Sequence, residues 1–345
     1  MTTIQAWAAP AAGAALELVS MELGPLDRDD VEIEVEHCGL CSADDSQWRN
    51  ASGATRYPFV PGHEAIGRIC AVGSSVSEER LGQRVGVGWI SGSCMRCWPC
   101  LSGSPHLCKD RRRTLSAPTA GFSSRMRCHA AWAVPLPEGL NAASAGPFFC
   151  AGLAVFRPLV ELQVLPTWRV GVVGLGGLGH LALKFLHAWG CEVVAFTSSE
   201  RKAEDALSMG AAIAVSGSNL DTWQALQGTL DLLLVTSKAA DWPRLFDVLA
   251  PRGRVHVLAG SAEPIAVPSS FLIGADRSIG GSIVGSPGTA KQMLEFAARR
   301  AIAPEVERLP MSRVNEAMER FASGDVRYRI VLDADFDNPA IASPA

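Results

Sequence analysis

Two groups of residues in this 345-residue chain have the types and spacing to do chemistry. The first is Cys94, Cys97, Cys100 and Cys108, a C-x2-C-x2-C-x7-C run. Four thiolates can close a tetrahedral shell around zinc, and the short spacings let one small loop wrap the ion. A shell closed by four protein ligands leaves no position for substrate, so this reads as a structural site. Iron–sulfur clusters use a similar opening spacing, usually with a proline after the last cysteine. Here Lys109 follows. The second group is Gly174-Leu175-Gly176-Gly177-Leu178-Gly179, which fits G-x-G-x-x-G. Such glycines allow a tight turn and close backbone approach to a pyrophosphate, provided a strand enters the turn and a helix leaves it.

The stretch after that loop bears on which dinucleotide binds. An NAD site carries an acid about 20 residues on, at the end of the second strand. That position falls in Phe196-Thr197-Ser198-Ser199, where no acid stands, and Arg201 and Lys202 follow. Hydroxyls and positive charge suit a 2′-phosphate. The sequence therefore favours NADP(H), with Thr197, Ser198, Ser199, Arg201 and Lys202 as expected contacts. Glu200 is read as the start of the next helix. The duller account of Arg201 and Lys202 is an ordinary exposed helix face.

These groups need elements to position them. Val31–Val35 alternates apolar and acidic residues, as a half-exposed strand does. Val60 to Gly73 and Val85 to Trp89 continue in short runs broken by glycine, so the first half reads as a compact, strand-rich domain. The texture changes near Cys150. Arg169–Val173, Cys191–Phe196, Asp231–Val235 and Arg254–Leu258 read as strands, with helices over Gly179 to Ala188 and Arg201–Met209. That alternation predicts an α/β domain with a doubly wound parallel sheet. After about Gly288, a helix over Ala290–Arg300 and a strand over Tyr328–Leu332 return to the first domain, and residues after Phe336 read as a frayed tail. The expected division is 1–150 with 288–345, interrupted by 151–287.

The balance of the chain excludes several classes. Its composition, 48% hydrophobic and 19% charged, is that of a globular protein able to bury substantial cores. A net charge of −4 gives no footprint for nucleic acid or an anionic membrane. The run Arg111-Arg112-Arg113 is short and reads as a solvated loop. No apolar run approaches the ~20 residues that span a bilayer. The first basic residue is Arg28, so the positive start of a secretory signal is missing. A cytoplasmic location follows, where ten cysteines point to metal binding or catalysis rather than disulfides.

Three further segments matter: Cys38-Gly39-Leu40-Cys41-Ser42-Ala43-Asp44, Pro61-Gly62-His63-Glu64 and Phe149-Cys150-Ala151-Gly152. Taken singly, His63 reads as a core histidine and Cys150 as a small buried hydrophobe. Taken in order, with the cysteine lobe, the glycine loop, the Gly281-Ser282 pair and the closing Tyr328-Arg329-Ile330-Val331-Leu332-Asp333, they resemble the zinc-dependent medium-chain dehydrogenase/reductases. The likeness is greatest to the cinnamyl alcohol dehydrogenase-like branch, which includes broad-range bacterial aldehyde reductases. It covers nearly the whole chain. It implies a GroES-like catalytic domain split around an inserted Rossmann domain, a homodimer, and hydride transfer between NADPH and a small aldehyde or alcohol. It also implies that Cys41, His63 and Cys150 hold a catalytic zinc, the Cys2His set known for alcohol dehydrogenase. Glu64 would be the acid beside the metal, able to ligate it when substrate is absent. Asp44 would be the carboxylate that orients the histidine. Ser42, Thr236 and Ser282 would add cofactor contacts. Two zinc ions per chain and NADP(H) are the cofactors expected. Trp48 and Trp89 stand beside pocket segments and read equally as pocket lining or core. Cys38, Cys70, Cys128 and Cys191 read as packing residues.

The chain departs from this likeness where a proton must move. Two residues after the first cysteine ligand the family carries a Ser or Thr that starts a proton relay, and here Ala43 stands there. Five residues after it, a frequent histidine is replaced by Ser46, and directly after it Ser42 replaces a frequent His or Arg. The loop between Cys108 and Thr119 is also short for this branch. General-acid help is worth ~10²–10⁴-fold, so these changes weigh against fast conventional aldehyde reduction. Reduction of an iminium carbon, or of a C=C conjugated to a carbonyl, leaves no alcohol oxygen to protonate and is the alternative. A non-catalytic dinucleotide-binding protein is a remoter one, against which the intact metal and cofactor motifs count.

Overall fold

The computed structural model describes residues 2–217, 220–238, 240–261, 263–324 and 326–337. The chain divides into two units, Met1–Cys150 with Gly285–Ala345, and Ala151–Val284. The return at Gly285 comes three residues before the expected 288. Ser286 already caps the helix Pro287–Arg299, its hydroxyl accepting from the Thr289 amide at 3.2 Å. No single helix among the described residues is long and apolar enough to cross a membrane.

The hub of the first unit is the strand Asp30–Leu40. On one side it pairs with Ala65–Val72. On the other, its first half pairs with Arg125–His129 and its second half with Arg329–Asp333. The sheet runs Val306–Pro310, Arg329–Asp333, Asp30–Leu40, Ala65–Val72, Arg84–Val87, Val134–Pro135. Val31, Ile33 and Val35 enter its core beside Ile69, Val85, Phe122 and Met126. Of the acids between them, Glu34 is exposed as the alternation predicts, but Glu32 is not, nor is Asp30 at the strand's start. Glu32 is buried under Arg125 and Arg127, with contacts of 3.0 and 2.7 Å, and Asp30 is buried under Arg112 at 2.7 Å. Guanidinium groups from other segments cover charges that local sequence assigns to water.

The closing segment holds two elements that the sequence reading missed, the strand Val306–Pro310 and the helix Val314–Ser323. The strand buries only Leu309 and ends in proline, as an edge strand can. The helix carries a short stripe, Val314, Ala317 and Met318, at i, i+3 and i+4.

The second unit is a six-stranded parallel sheet in the order Ile213–Ser216, Glu192–Thr197, Arg169–Val173, Leu230–Val235, Leu249–Val257, Ser278–Gly281. Numbered from Arg169–Val173, that order is 3-2-1-4-5-6, a Rossmann sheet. Strand and helix ends lie within a residue or two of the sequence expectation, except that Leu249–Val257 begins five residues earlier than Arg254. The helix Ala151–Glu161 went unread because Pro158 interrupts its pattern. The chain order reverses between Arg169–Val173 and Leu230–Val235, and ligands bind parallel sheets at the carboxyl ends beside such a switch point.

Candidate active site

Strand register builds the first ligand set. Ile330 pairs with Leu40, the last residue of the hub strand, and Cys41 then caps the helix Ser42–Trp48 from an extended conformation. Cys38 pairs with Ala65, which brings Glu64 beside Gly39. The Gly39 amide donates to the Glu64 carbonyl at 3.0 Å. A Cβ at Gly39 would stand 3.0 Å from the Glu64 Cβ and 3.1 Å from its Cδ, so only glycine leaves space for that carboxyl group. Cys150 arrives from the turn Gly146–Phe149.

The side chains converge. Cys41 Sγ lies 3.8 Å from Cys150 Sγ, and His63 Nε2 lies 3.3 Å from Cys150 Sγ. A Glu64 carboxylate oxygen completes the group, all four donors lying within 4.8 Å of one another. Zinc–thiolate bonds of about 2.3 Å make a tetrahedral edge of about 3.8 Å. The spacing is therefore that of thiolates sharing a metal, far longer than the ~2.05 Å of a disulfide. Glu64 supplies a second indication. Its Oε1 is bound by the buried Arg329 guanidinium, while its Oε2 is buried with no hydrogen-bond partner. A buried carboxylate oxygen left unpaired beside two thiols and an imidazole calls for a cation.

Asp44 orders this group. Its Oδ2 accepts from the Cys41 amide at 2.9 Å, and its Oδ1 accepts from the Gly62 amide at 2.8 Å and faces His63 Nδ1 at 3.0 Å. With Nδ1–H committed to Asp44, the Nε2 lone pair points at the cluster. The Trp89 ring packs edge-on against His63, centroids 5.1 Å apart. Trp48 belongs to the core instead, its indole N–H donating to the Ala14 carbonyl at 2.7 Å. Ala43 and Ser46 sit half-buried on the helix that Cys41 caps.

Charge is shared unevenly. The hydrogen bond from Cys150 draws Cys41 well below the usual thiol range against the penalty of burial, and Arg329 assists. The same contact, with burial, pushes Cys150 well up. Burial disfavours a charged His63, but the Asp44 carboxylate outweighs it and holds that imidazole well above its ordinary value. Burial raises Glu64, with Arg329 opposing.

The four-cysteine lobe forms a second convergent set. Cys97 and Cys100 lie 3.5 Å apart, Cys94 and Cys108 3.6 Å, and Cys94 and Cys100 4.0 Å, again tetrahedral edges. The Arg96 amide helps draw Cys94 down to about 6. The Cys100 amide acts the same way on Cys97, but desolvation and the neighbouring thiols outweigh it and push Cys97 up to about 12. Cys38, Cys128 and Cys191 are buried and Cys70 half-buried, and none of them belongs to either set.

In the second unit a cleft of about 360 Å³ opens at the switch point. Gly174 turns there with φ +92°, and a Cβ on it would meet the Ser237 Cβ at 2.8 Å. Gly176 faces open space, the side from which a pyrophosphate can approach. Gly177 and Leu178 form the turn, and Gly179 opens the helix Gly179–Trp189. Of the expected contacts, Gly174, Gly176, Thr197, Ser198, Lys202 and Thr236 line the cleft. The Thr236 hydroxyl is engaged by the Val173 and Gly174 carbonyls, both at 2.9 Å, and so holds the glycine turn. Ser199 caps the helix Glu200–Ser208, accepting from the Lys202 amide at 3.4 Å. Arg201 is exposed outside the cleft lining, and Ser282 lies 2.8 Å from His256 Nε2, also outside it. Ser42 is exposed at its helix start, its Oγ 3.9 Å from Cys41 Sγ. The Glu200 carboxylate accepts from the Ser216 hydroxyl. The lining residues that local sequence does not announce include Trp223, stacked 4.7 Å from Phe196, Asp241, and Arg244, whose guanidinium lies 6.0 Å from the Trp223 ring centre.

Comparison with known proteins agrees with this geometry. The alcohol dehydrogenase GroES-like domain family matches residues 27–138, and the zinc-binding dehydrogenase family matches residues 177–299. An aldehyde reductase, AdhA, of Synechocystis sp. is 42% identical over 330 residues, covering 95% of this chain and 98% of that protein. The aldehyde reductase YahK of Escherichia coli is 38% identical over 92% and 93% of the two chains. A cinnamyl alcohol dehydrogenase structure from Sorghum bicolor superposes with a TM-score of 0.91 at 33% identity, covering 100% of this chain and 99% of that one. The chain is an oxidoreductase that belongs to the zinc-dependent medium-chain dehydrogenases, in their cinnamyl alcohol dehydrogenase-like branch.

Proposed function

We propose that this enzyme reduces small aldehydes with NADPH at the Cys41, His63 and Cys150 cluster. The convergence of two thiols, one imidazole and an unpaired Glu64 oxygen carries the reading. We propose that the first unit, 1–150 with 285–345, carries that chemistry, and that the second, 151–284, binds the dinucleotide. Bound zinc supplies Lewis-acid polarisation of a carbonyl, and bound NADPH supplies the hydride. Cys41, His63 and Cys150 would hold the metal, with the Glu64 carboxylate beside them as a further donor. Asp44 keeps Nε2 of His63 turned to the cluster. Ser198 and Lys202 receive the 2′-phosphate, since the nearby Glu200 carboxylate is turned to Ser216. Cys94, Cys97, Cys100 and Cys108 hold a second, structural zinc. Ten free cysteines suit a reducing, cytoplasmic setting, and the family resemblance suits a homodimer.

The aldehyde-reductase relatives weigh for carbonyl reduction over C=N or C=C reduction, although Ala43 and Ser46 leave the latter chemically open. NADPH consumption across aldehydes, cyclic imines and enals tests the assignment. The highest kcat/KM is expected for an aldehyde. An imine or enal reduced far faster than every aldehyde overturns it.

A further inference from the structure

We infer that the preferred aldehyde carries a carboxylate at its far end, read by Arg56 and Arg113; the inference rests on aldehyde reduction at the Cys41 cluster. The run Arg111-Arg112-Arg113 does not act as one basic patch. Arg112 makes a two-bond pair with Asp30, at 2.8 and 2.7 Å. Arg111 donates to the Cys108 carbonyl at 3.0 Å. Arg113 is exposed and, among the described residues, has no ion pair or side-chain hydrogen bond, and the same holds for Arg56.

Both line one cavity of about 580 Å³ in the first unit, with Gln47, Thr55, Phe59 and Leu115 among its walls. Among the described residues, no aspartate or glutamate lines it. Arg113 stands between this cavity and a neighbouring one of about 740 Å³, where Lys109, Arg111 and Arg112 are set among Glu22, Asp27 and Asp30. Two guanidinium groups on walls that carry no acid give the smaller cavity a positive potential. Arginine presents a fork that matches a carboxylate. Phe59 and Leu115 suit an aryl or alkyl spacer between that carboxylate and the reacting carbonyl.

Three of the cavity's walls are tied to the cluster through the chain. Phe59 and Val60 run through Pro61 and Gly62 directly into His63. Arg113 precedes Thr114, whose amide donates to the Trp89 carbonyl at 3.1 Å, and the Trp89 ring packs on His63. Gln47 lies one helical turn beyond Ala43, on the helix that Cys41 caps.

The test compares NADPH-dependent reduction of 4-carboxybenzaldehyde and 4-methylbenzaldehyde by the parent, Arg56→Gln, Arg113→Gln, the double variant and Arg113→Lys. The parent is expected to favour the carboxylated aldehyde in kcat/KM by about tenfold or more, the scale of a hydrogen bond to a charged group. The ratio should fall to about one in the double variant, survive in part in Arg113→Lys, and shrink at high ionic strength because these charges are exposed. A parent ratio at or below one, or a ratio unchanged in the double variant, overturns the inference alone. A parent that reduces neither aldehyde overturns the proposed function and this inference with it.

Discussion

Arg329 holds the Glu64 carboxylate in an ion pair sealed from solvent, across 265 positions of chain. The pairing of Ile330 with Leu40 and Val331 with Gly39 produces it, by carrying Arg329 to the end of the hub strand where Cys41 begins its helix. Removing one member of a buried pair strands the other charge, which costs about 3–5 kcal/mol. Arg329→Met should therefore lower the urea unfolding free energy by roughly that amount. Arg329→Met with Glu64→Gln should recover part of the loss, because neither charge remains. A single variant as stable as the parent contradicts the account.

NADPH should bind at least about tenfold more tightly than NADH, a difference of about 1.4 kcal/mol. Ser198→Ala with Lys202→Ala should erase most of that preference in fluorescence titrations of the two cofactors. Equal affinities in the parent would remove the 2′-phosphate assignment.

The missing relay makes a kinetic prediction. Ala43→Ser with Ser46→His should raise kcat/KM for benzaldehyde, within a ceiling of ~10²–10⁴-fold. It should leave any cyclic-iminium reduction little changed, since that product has no oxygen to protonate. A parent that already turns over benzaldehyde on the order of 10 s⁻¹, with no gain in the variant, means that water or Glu64 delivers the proton.

Glu36 gives a pH signature. It bridges Arg68 at 3.1 Å and Arg84 at 2.7 Å. Burial works against its charge, but the two guanidinium groups outweigh burial and hold its pKa below the ordinary value of 4.5. A depressed acid stabilises the fold above its unfolded pKa, and that stability is lost as pH falls through the folded value. Glu36→Gln should destabilise the protein at neutral pH by less than about 1 kcal/mol, since both arginine partners are exposed to solvent screening. Parent and variant stabilities should converge in acid. A difference that is constant from neutral pH into acid would contradict the charge-based cause.

What the sequence disclosed, and what it withheld, follows chain distance. Cys94 to Cys108 and Gly174 to Gly179 are local patterns whose spacing is their geometry. Four of the six Rossmann strands were legible as short apolar runs, whereas Ile213–Ser216 and Ser278–Gly281 were not, the one being four residues long and the other half glycine. Arg329 was not, although a charge opening the apolar run of the strand Arg329–Asp333 was a signal that it needed a buried partner. That partner stands on another strand, and only register identifies it. The burial of Glu32 failed for the same reason, its covering arginines lying 93 and 95 positions away. Trp223 and Arg244 enter the cleft at the switch point through strand order, which no local pattern encodes.

The most direct test measures zinc content and benzaldehyde-dependent NADPH oxidation together, in the parent and in Cys41→Ala. The parent should hold about two zinc ions per chain, one in each convergent set. Cys41→Ala should keep about one, in the cysteine lobe, and lose turnover by a factor on the order of 10³, the scale of several kcal/mol of Lewis-acid assistance. A parent with one zinc and full turnover, or a Cys41→Ala variant that keeps its rate, would contradict the claim that this cluster is where the aldehyde is reduced.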